Sequence, residues 1–224
     1  MISLEEIKKY LPKYLSASAR EELFDELKHF PGNIDQRLYT TSLKEEPSIF
    51  QGDGIRDLLF VNLPAKTFNP APGIIISNTC DIDSGHKRLM PMRMVYAPIF
   101  NLNKYRQALF KDHVQTKIRS EESIEAHIIE IKKQRISHIF YLPKTNGLEN
   151  DSLVFFDRLN NCPSDYFQEE QIQDKRIFIL SDYGYYLFLF KLSVHFTRIR
   201  EGISRGSGKE SSLIMEDYAD YGHY

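Results

Sequence analysis

Between Asn78 and Arg88 the chain places a thiol, two carboxylates, an imidazole and two cations within a few residues: Cys80, Asp81, Asp83, His86, Lys87 and Arg88. The loop follows an apolar run, Gly73 to Ser77, and loops carried on a sheet are where binding and catalytic groups concentrate. Cys80 at a strand end is expected as a small buried apolar group, the common state of free cysteine. Three sharper chemistries stand beside that expectation. Cys80 could be a nucleophile with His86 as base and Asp81 or Asp83 orienting the ring. Cys80, Asp83 and His86 have metal-ligand spacing, although zinc wants three or four ligands and no second cluster completes them. His86, Lys87 and Arg88, with Asn78 and Arg93 close in sequence, could form a phosphate-facing edge for RNA, with Asp81 or Asp83 as base. The expectation is for no metal and no cofactor.

Other polar groups read as structural. Gly52, Asp53 and Gly54 predict a turn in which the carboxylate accepts local backbone bonds. Lys132, Lys133 and Arg135 are expected on a solvated helix face, and His138 and the tyrosines 183, 185 and 186 as structural or core groups.

A fold must hold these groups. The chain has 224 residues, 42% of them hydrophobic and 27% charged, which is the balance of a globular protein with a sizeable core. Its formal charge of −2 excludes a basic field over the whole molecule, so any grip on nucleic acid must come from a local patch. Two distant cysteines, Cys80 and Cys162, make no disulfide framework, no secretory pattern is evident, and cytoplasmic residence is the expectation. The most apolar segment, Tyr183 to Phe196, has 14 residues and contains Lys191, whereas a membrane helix needs about 20.

Residues 1–30 predict two helices, each opened by a hydroxyl with a glutamate three residues on, Ser3 with Glu6 and Ser18 with Glu21. Leu4, Ile7 and Leu11, then Leu23, Leu27 and Phe30, form apolar stripes that need a surface on the later domain or on a partner protein. From residue 49 the grammar is that of strands, with runs at 57–63, 73–77, 93–99, 138–142, 152–157 and 176–180. Within 103–137, Ile124, Ile128 and Ile131 predict an inserted helix. Ser181 is expected to cap a last helix running to Arg200. The expected organisation is an extension over 1–45, a domain over 46–201 with an insertion at 103–137, and a flexible tail over 202–224.

The succession of Gly52-Asp53, a strand ending in Asn62-Leu63-Pro64, the run Ala71-Pro72 to Ser77, and Met94 to Ile99 resembles the PemK/MazF family of small toxin barrels. The runs at 152–159 and 176–180 followed by a helix are similar to that family's closing strands and terminal helix. The resemblance implies an α+β fold, a small curved antiparallel β-barrel decorated by N-terminal helices and the inserted helical segment. It implies metal-independent endoribonuclease or RNA-binding activity in a bacterial toxin–antitoxin or phage-defence system, with RNA and possible homodimer partners. The alternative is a non-enzymatic interaction subunit. The family's cleavage positions, an Arg before one Pro and a Thr or Ser after another, here hold Ala71 and Phe100, which supply neither base, cation nor acid.

Overall fold

The computed structural model describes residues 37–65, 67–83, 89–90, 92–116, 120–166 and 172–197, with His29 and Gly32. The helices expected over residues 1–30 and the tail expected over 202–224 lie outside the described residues. Within them the chain is mixed α+β. Its strands are β1 (Tyr39–Thr40), β2 (Gly54–Asn62), β3 (Thr67–Ile75), β4 (Arg93–Asn101), β5 (Ile139–Leu142), β6 (Ser152–Phe155), β7 (Asn160–Pro163) and β8 (Arg176–Leu180). The helices are α1 (Thr79–Ile82), α2 (Leu102–Thr116), α3 (Glu121–Lys132), α4 (Ile172–Lys175) and α5 (Asp182–Thr197).

All strand pairs are antiparallel, in the order β1-β8-β2-β3-β4-β6-β5, with β7 on the first half of β4. The sheet is not closed, so the ladder closure of a barrel is not found among the described residues. Its far ends are nevertheless joined by one hydrogen bond: the Tyr39 hydroxyl on β1 donates to the Pro143 backbone carbonyl just past β5, at 2.7 Å. Leu38 is fully buried and β1 pairs with β8, so the sheet takes in residues from the expected 1–45 extension.

Strand alternation sorts the core into two clusters. Ile74 belongs to the larger one with Leu38, Phe140, Phe156, Tyr183 and Phe188. Its neighbour Ile75 belongs to the smaller one with Ile55, Leu58, Met94 and Tyr96. Phe140, Phe156 and Phe188 meet with ring centroids 5.4 to 6.2 Å apart, joining β5, the residue after β6, and α5. Aromatic contacts of this kind add to area burial.

Several elements differ from expectation for identifiable reasons. β3 begins at Thr67 rather than Gly73. Pro70 and Pro72 read as loop, yet β4 pairs with β3 only over 73–75, so these prolines, without an N–H to donate, sit where one side of the strand is an edge. The 103–137 insertion contains two helices, α2 as well as the expected α3. α2 buries only Leu102 outright, which is too thin a stripe to read. β7, Asn160–Pro163, carries little strand propensity and exists through its pairing with β4. α3 follows its sequence signs: Ser120 caps it, accepting from Ser123 N at 3.2 Å, and Ile124, Ile128 and Ile131 are buried. α5 starts as expected, with Ser181 Oγ accepting from Gly184 N at 3.1 Å.

Candidate functional site

The 78–88 loop leaves β3 and returns into β4. Ile76 N and Ser77 N both donate to the Val95 carbonyl, and Val95 N donates to Ser77 Oγ at 2.8 Å. Asn78 accepts at Oδ1 from Cys80 N (2.9 Å) and caps the single turn α1. Thr79 Oγ1 accepts from Gln51 N (3.0 Å), which fixes α1 to the turn before β2. Asn78, Cys80, Asp81 and Asp83 are exposed. Cys80 is therefore not the buried apolar group expected at a strand end, because the chain turns outward into α1 at that point. His86, Lys87 and Arg88 lie outside the described residues. Arg93 stands at the base of the loop, exposed, and donates from Nε to Asn161 Oδ1 across the β4–β7 pair. Among the described residues, no group of three His, Cys, Asp or Glu side chains is placed to hold a metal ion. Cys162, the other free thiol, is buried, and that burial pushes its pKa up to about 11.

The two positions that the resemblance associates with cleavage face different cores. Ala71 packs against the smaller cluster and Phe100 against the larger. Neither carries a titratable group.

A cleft lies on the Phe100 side. Its volume is about 550 Å³, and its walls include Arg56 on β2, Pro72 on β3, Phe100 and Asn101 on β4, Lys104 in the first turn of α2, and Glu149 in the β5–β6 loop. Each wall has a local cause. A register shift between Ile55 and Leu58, with Asp57 at φ 60°, turns Arg56 onto an exposed position and marks a β-bulge. Asn101 Oδ1 accepts from Lys104 N at 3.0 Å, capping α2 as β4 ends, and Leu102 N donates to the Asp151 carbonyl at 2.9 Å. Gly147 holds the β5–β6 loop against β8, where a Cβ would come within 1.8 Å of the Ile177 carbonyl oxygen. The Arg158 guanidinium sits 5.1 Å from the Phe100 ring centroid and 4.5 Å from that of Phe155, within the range of cation–π attraction.

Beyond the cleft, alternation puts Phe68 and Pro70 on the same face as Pro72 and Ile74. They pair with Val61 and Leu59, and Phe68, Val61 and Leu59 are 63%, 37% and 37% exposed. The cleft thus opens onto an apolar stripe. Two cations above an apolar and aromatic floor suit a ligand that joins anionic groups to flat rings, while Glu149 adds one carboxylate at the rim. Nothing in the sequence flagged Arg56, Lys104 or Glu149, since they come from positions 56, 104 and 149 and share no local motif. Phe100 was visible only as a departure from the family pattern.

The Gly52-Asp53-Gly54 segment is a turn as expected, with Gly52 at φ 91° and Phe50 N donating to Asp53 Oδ2 at 3.1 Å. The sequence did not reveal the partner of Asp53. Arg176 Nε donates to Asp53 Oδ2 at 3.0 Å, with only 3% and 1% of the two side chains exposed. Burial pushes the Asp53 pKa up to about 6, with Arg176 and the Phe50 N–H pulling it back. Arg176 also donates to the carbonyls of Leu43 (3.3 Å), Glu46 (2.8 Å) and Ser48, so the pair clamps the segment before β2. No family model matches this chain, and no curated protein matches it.

Proposed function

We propose that this chain is a divergent PemK/MazF-like protein of a bacterial toxin–antitoxin or phage-defence system, and that it binds single-stranded RNA in the cleft between β4, α2 and the β5–β6 loop. The observation that carries this reading is the pairing of Arg56 and Lys104 over a floor containing Phe100 and Pro72 in one cleft of about 550 Å³. Phosphates are held by such cations, and unpaired bases stack on aromatic and apolar surfaces. Phe68 extends that surface beyond the cleft. A formal charge of −2 agrees with a local grip rather than a global one. Binding without cleavage is favoured, because Ala71 and Phe100 can neither take the 2′-hydroxyl proton nor stabilise the phosphorane.

The test is fluorescence anisotropy with labelled mixed-sequence single-stranded RNA in EDTA, followed by a gel for products. Arg56→Ala with Lys104→Ala is expected to weaken binding about tenfold or more and to lower the salt slope by about two, with the RNA intact. Unchanged binding in that variant would remove the cleft from the reading. Loss confined to His86→Ala and Arg88→Ala would move the site to the 78–88 loop, and discrete products lost with either would make the protein a metal-independent endoribonuclease. A second reading, a non-enzymatic interaction subunit, is favoured by the exposed stripe of Leu59, Val61 and Phe68. Absence of RNA binding in every arm would select it.

A further inference from the structure

Arg56, Lys104 and Glu149 line the cleft without an ion-pair partner among the described residues. The acids on the neighbouring elements differ: Glu125 is paired with Arg106, Glu130 with Lys133 and Arg135, and Asp151 with Lys132. Glu149 also stands on a loop whose other members are tied down. Thr145 N and Leu148 N each donate to the other residue's carbonyl at 2.9 Å, and Leu148 is buried. On the other side of Glu149, Ser152 Oγ donates to the Asn150 carbonyl at 2.9 Å, and Asp151 accepts from Lys144 N at 3.2 Å and from Lys132 Nζ at 2.7 Å. Gly147 lies against the Ile177 backbone. The loop therefore holds a carboxylate on the wall of the cleft that no described cation neutralises.

A carboxylate beside two phosphate-binding cations repels the anion that they attract. It opposes binding unless the ligand brings donors to it, because a carboxylate only accepts hydrogen bonds. Resting on the RNA reading above, we infer that the cleft selects guanine: Glu149 accepts from the N1–H and the 2-amino group of a base laid on the Phe100 and Pro72 floor, while Arg56 and Lys104 hold the phosphates beside it. Guanine is the one common RNA base whose Watson–Crick edge presents two adjacent donors, which match the two oxygens of a carboxylate. Adenine and cytosine each offer one amino group next to an unprotonated ring nitrogen, and uracil offers one N–H between two carbonyls. Each of these sets a lone pair against the carboxylate, and such mismatches are what turn affinity into specificity. The volume of about 550 Å³ is in the range that holds a small ligand.

Fluorescence anisotropy of the full chain tests this, with short labelled oligouridines that carry guanosine, inosine, adenosine or cytidine at one central position. The guanosine oligonucleotide is expected to bind about tenfold or more tighter than the adenosine, cytidine and all-uridine ones, with inosine, which keeps N1–H and lacks the 2-amino group, in between. In Glu149→Gln the guanosine and adenosine oligonucleotides bind alike, and the all-uridine one binds more tightly than to the wild type because a negative charge has left the cleft. Arg56→Ala with Lys104→Ala weakens all of them and keeps the guanosine preference. Glu149 is exposed, so its substitution leaves the fold intact, which circular dichroism melts check. Binding that depends on Arg56 and Lys104 but shows no guanosine preference overturns the proposal and leaves the RNA reading standing. A preference that survives Glu149→Gln overturns it by placing the reader elsewhere, and equal weakening of every oligonucleotide in that variant overturns it by making Glu149 structural. Calorimetric titration with GMP and AMP separates free nucleotide from RNA: GMP bound with no oligonucleotide bound overturns the RNA source, and no binding in any arm removes both the proposal and the reading it rests on.

Discussion

Arg176 on β8 ties the turn before β2 to the segment that leads into it. Its guanidinium meets the Asp53 carboxylate and the backbone carbonyls of Leu43, Lys44, Glu46 and Ser48, so one side chain serves a buried acid and an irregular segment at once. Asp53 Oδ1 is buried without a hydrogen bond, and Oδ2 rests on Arg176 and the Phe50 N–H. Removing one partner of a buried ion pair is far worse than removing both, because the survivor stays desolvated. Arg176→Met is therefore expected to lower stability by about 3–5 kcal/mol, and Asp53→Asn with Arg176→Met by less than the sum of the single changes. Urea midpoints for the four proteins check this. Additive effects would show that the pair is not coupled. The turn at Gly52 was legible because glycine and aspartate specify it locally, but Arg176 lies 123 residues away, beyond any local signal.

At the level of elements, the joint between α5 and β1 decides whether the edge of the sheet stays attached. A Cβ on Gly184 would come within 2.1 Å of the Leu38 carbonyl oxygen. Two effects oppose each other in Gly184→Ala. Helix propensity favours alanine by about 1 kcal/mol, whereas overpacking against backbone costs about 1–3 kcal/mol, and more when the obstacle cannot rotate away. The clash wins, and the melting temperature is expected to fall by several degrees, in contrast to the gain that an exposed helical Gly→Ala gives; a rise would refute the tight joint. α3 and the start of α5 could be read in advance because a capping hydroxyl and a 3.6-residue stripe are properties of neighbours in sequence. α2 could not, since Leu102 is its one fully buried residue and Tyr105 and Leu109 pack half-buried against the core. Its solvent side is held by ion pairs such as Arg106 with Glu125.

For the whole molecule, two buried ionisable groups shape stability against pH in opposite directions. Asp53 has its pKa raised to about 6 by burial, so between about pH 4 and 6 the native state holds a proton that the unfolded chain has released, and stability falls as pH rises. Lys191 is buried against α3's end, donating to the Gln134 and Ile136 carbonyls at 2.8 and 2.7 Å, and burial lowers its pKa to about 7. From about pH 7 to 10 the unfolded chain holds the proton that the native state lacks, so stability rises with pH. The two together place a minimum near pH 6.5. Urea unfolding at pH 4.5, 6.5 and 9 should show it, with Asp53→Asn flattening the acid limb relative to the wild type and Lys191→Met the alkaline limb; a slope unchanged in either variant would refute its assignment. By itself the sequence determined the α+β class, six of the strand runs, the inserted α3 and the Ser181 cap, because propensity, alternation and capping act over a few residues. Only the tertiary structure decided that the sheet stays open, that the 160–163 segment is a strand, and that Arg56, Phe100, Lys104 and Glu149 share a cleft. Those outcomes depend on which distant surfaces are buried together, and burial is a property of the packed sheet rather than of any stretch of chain.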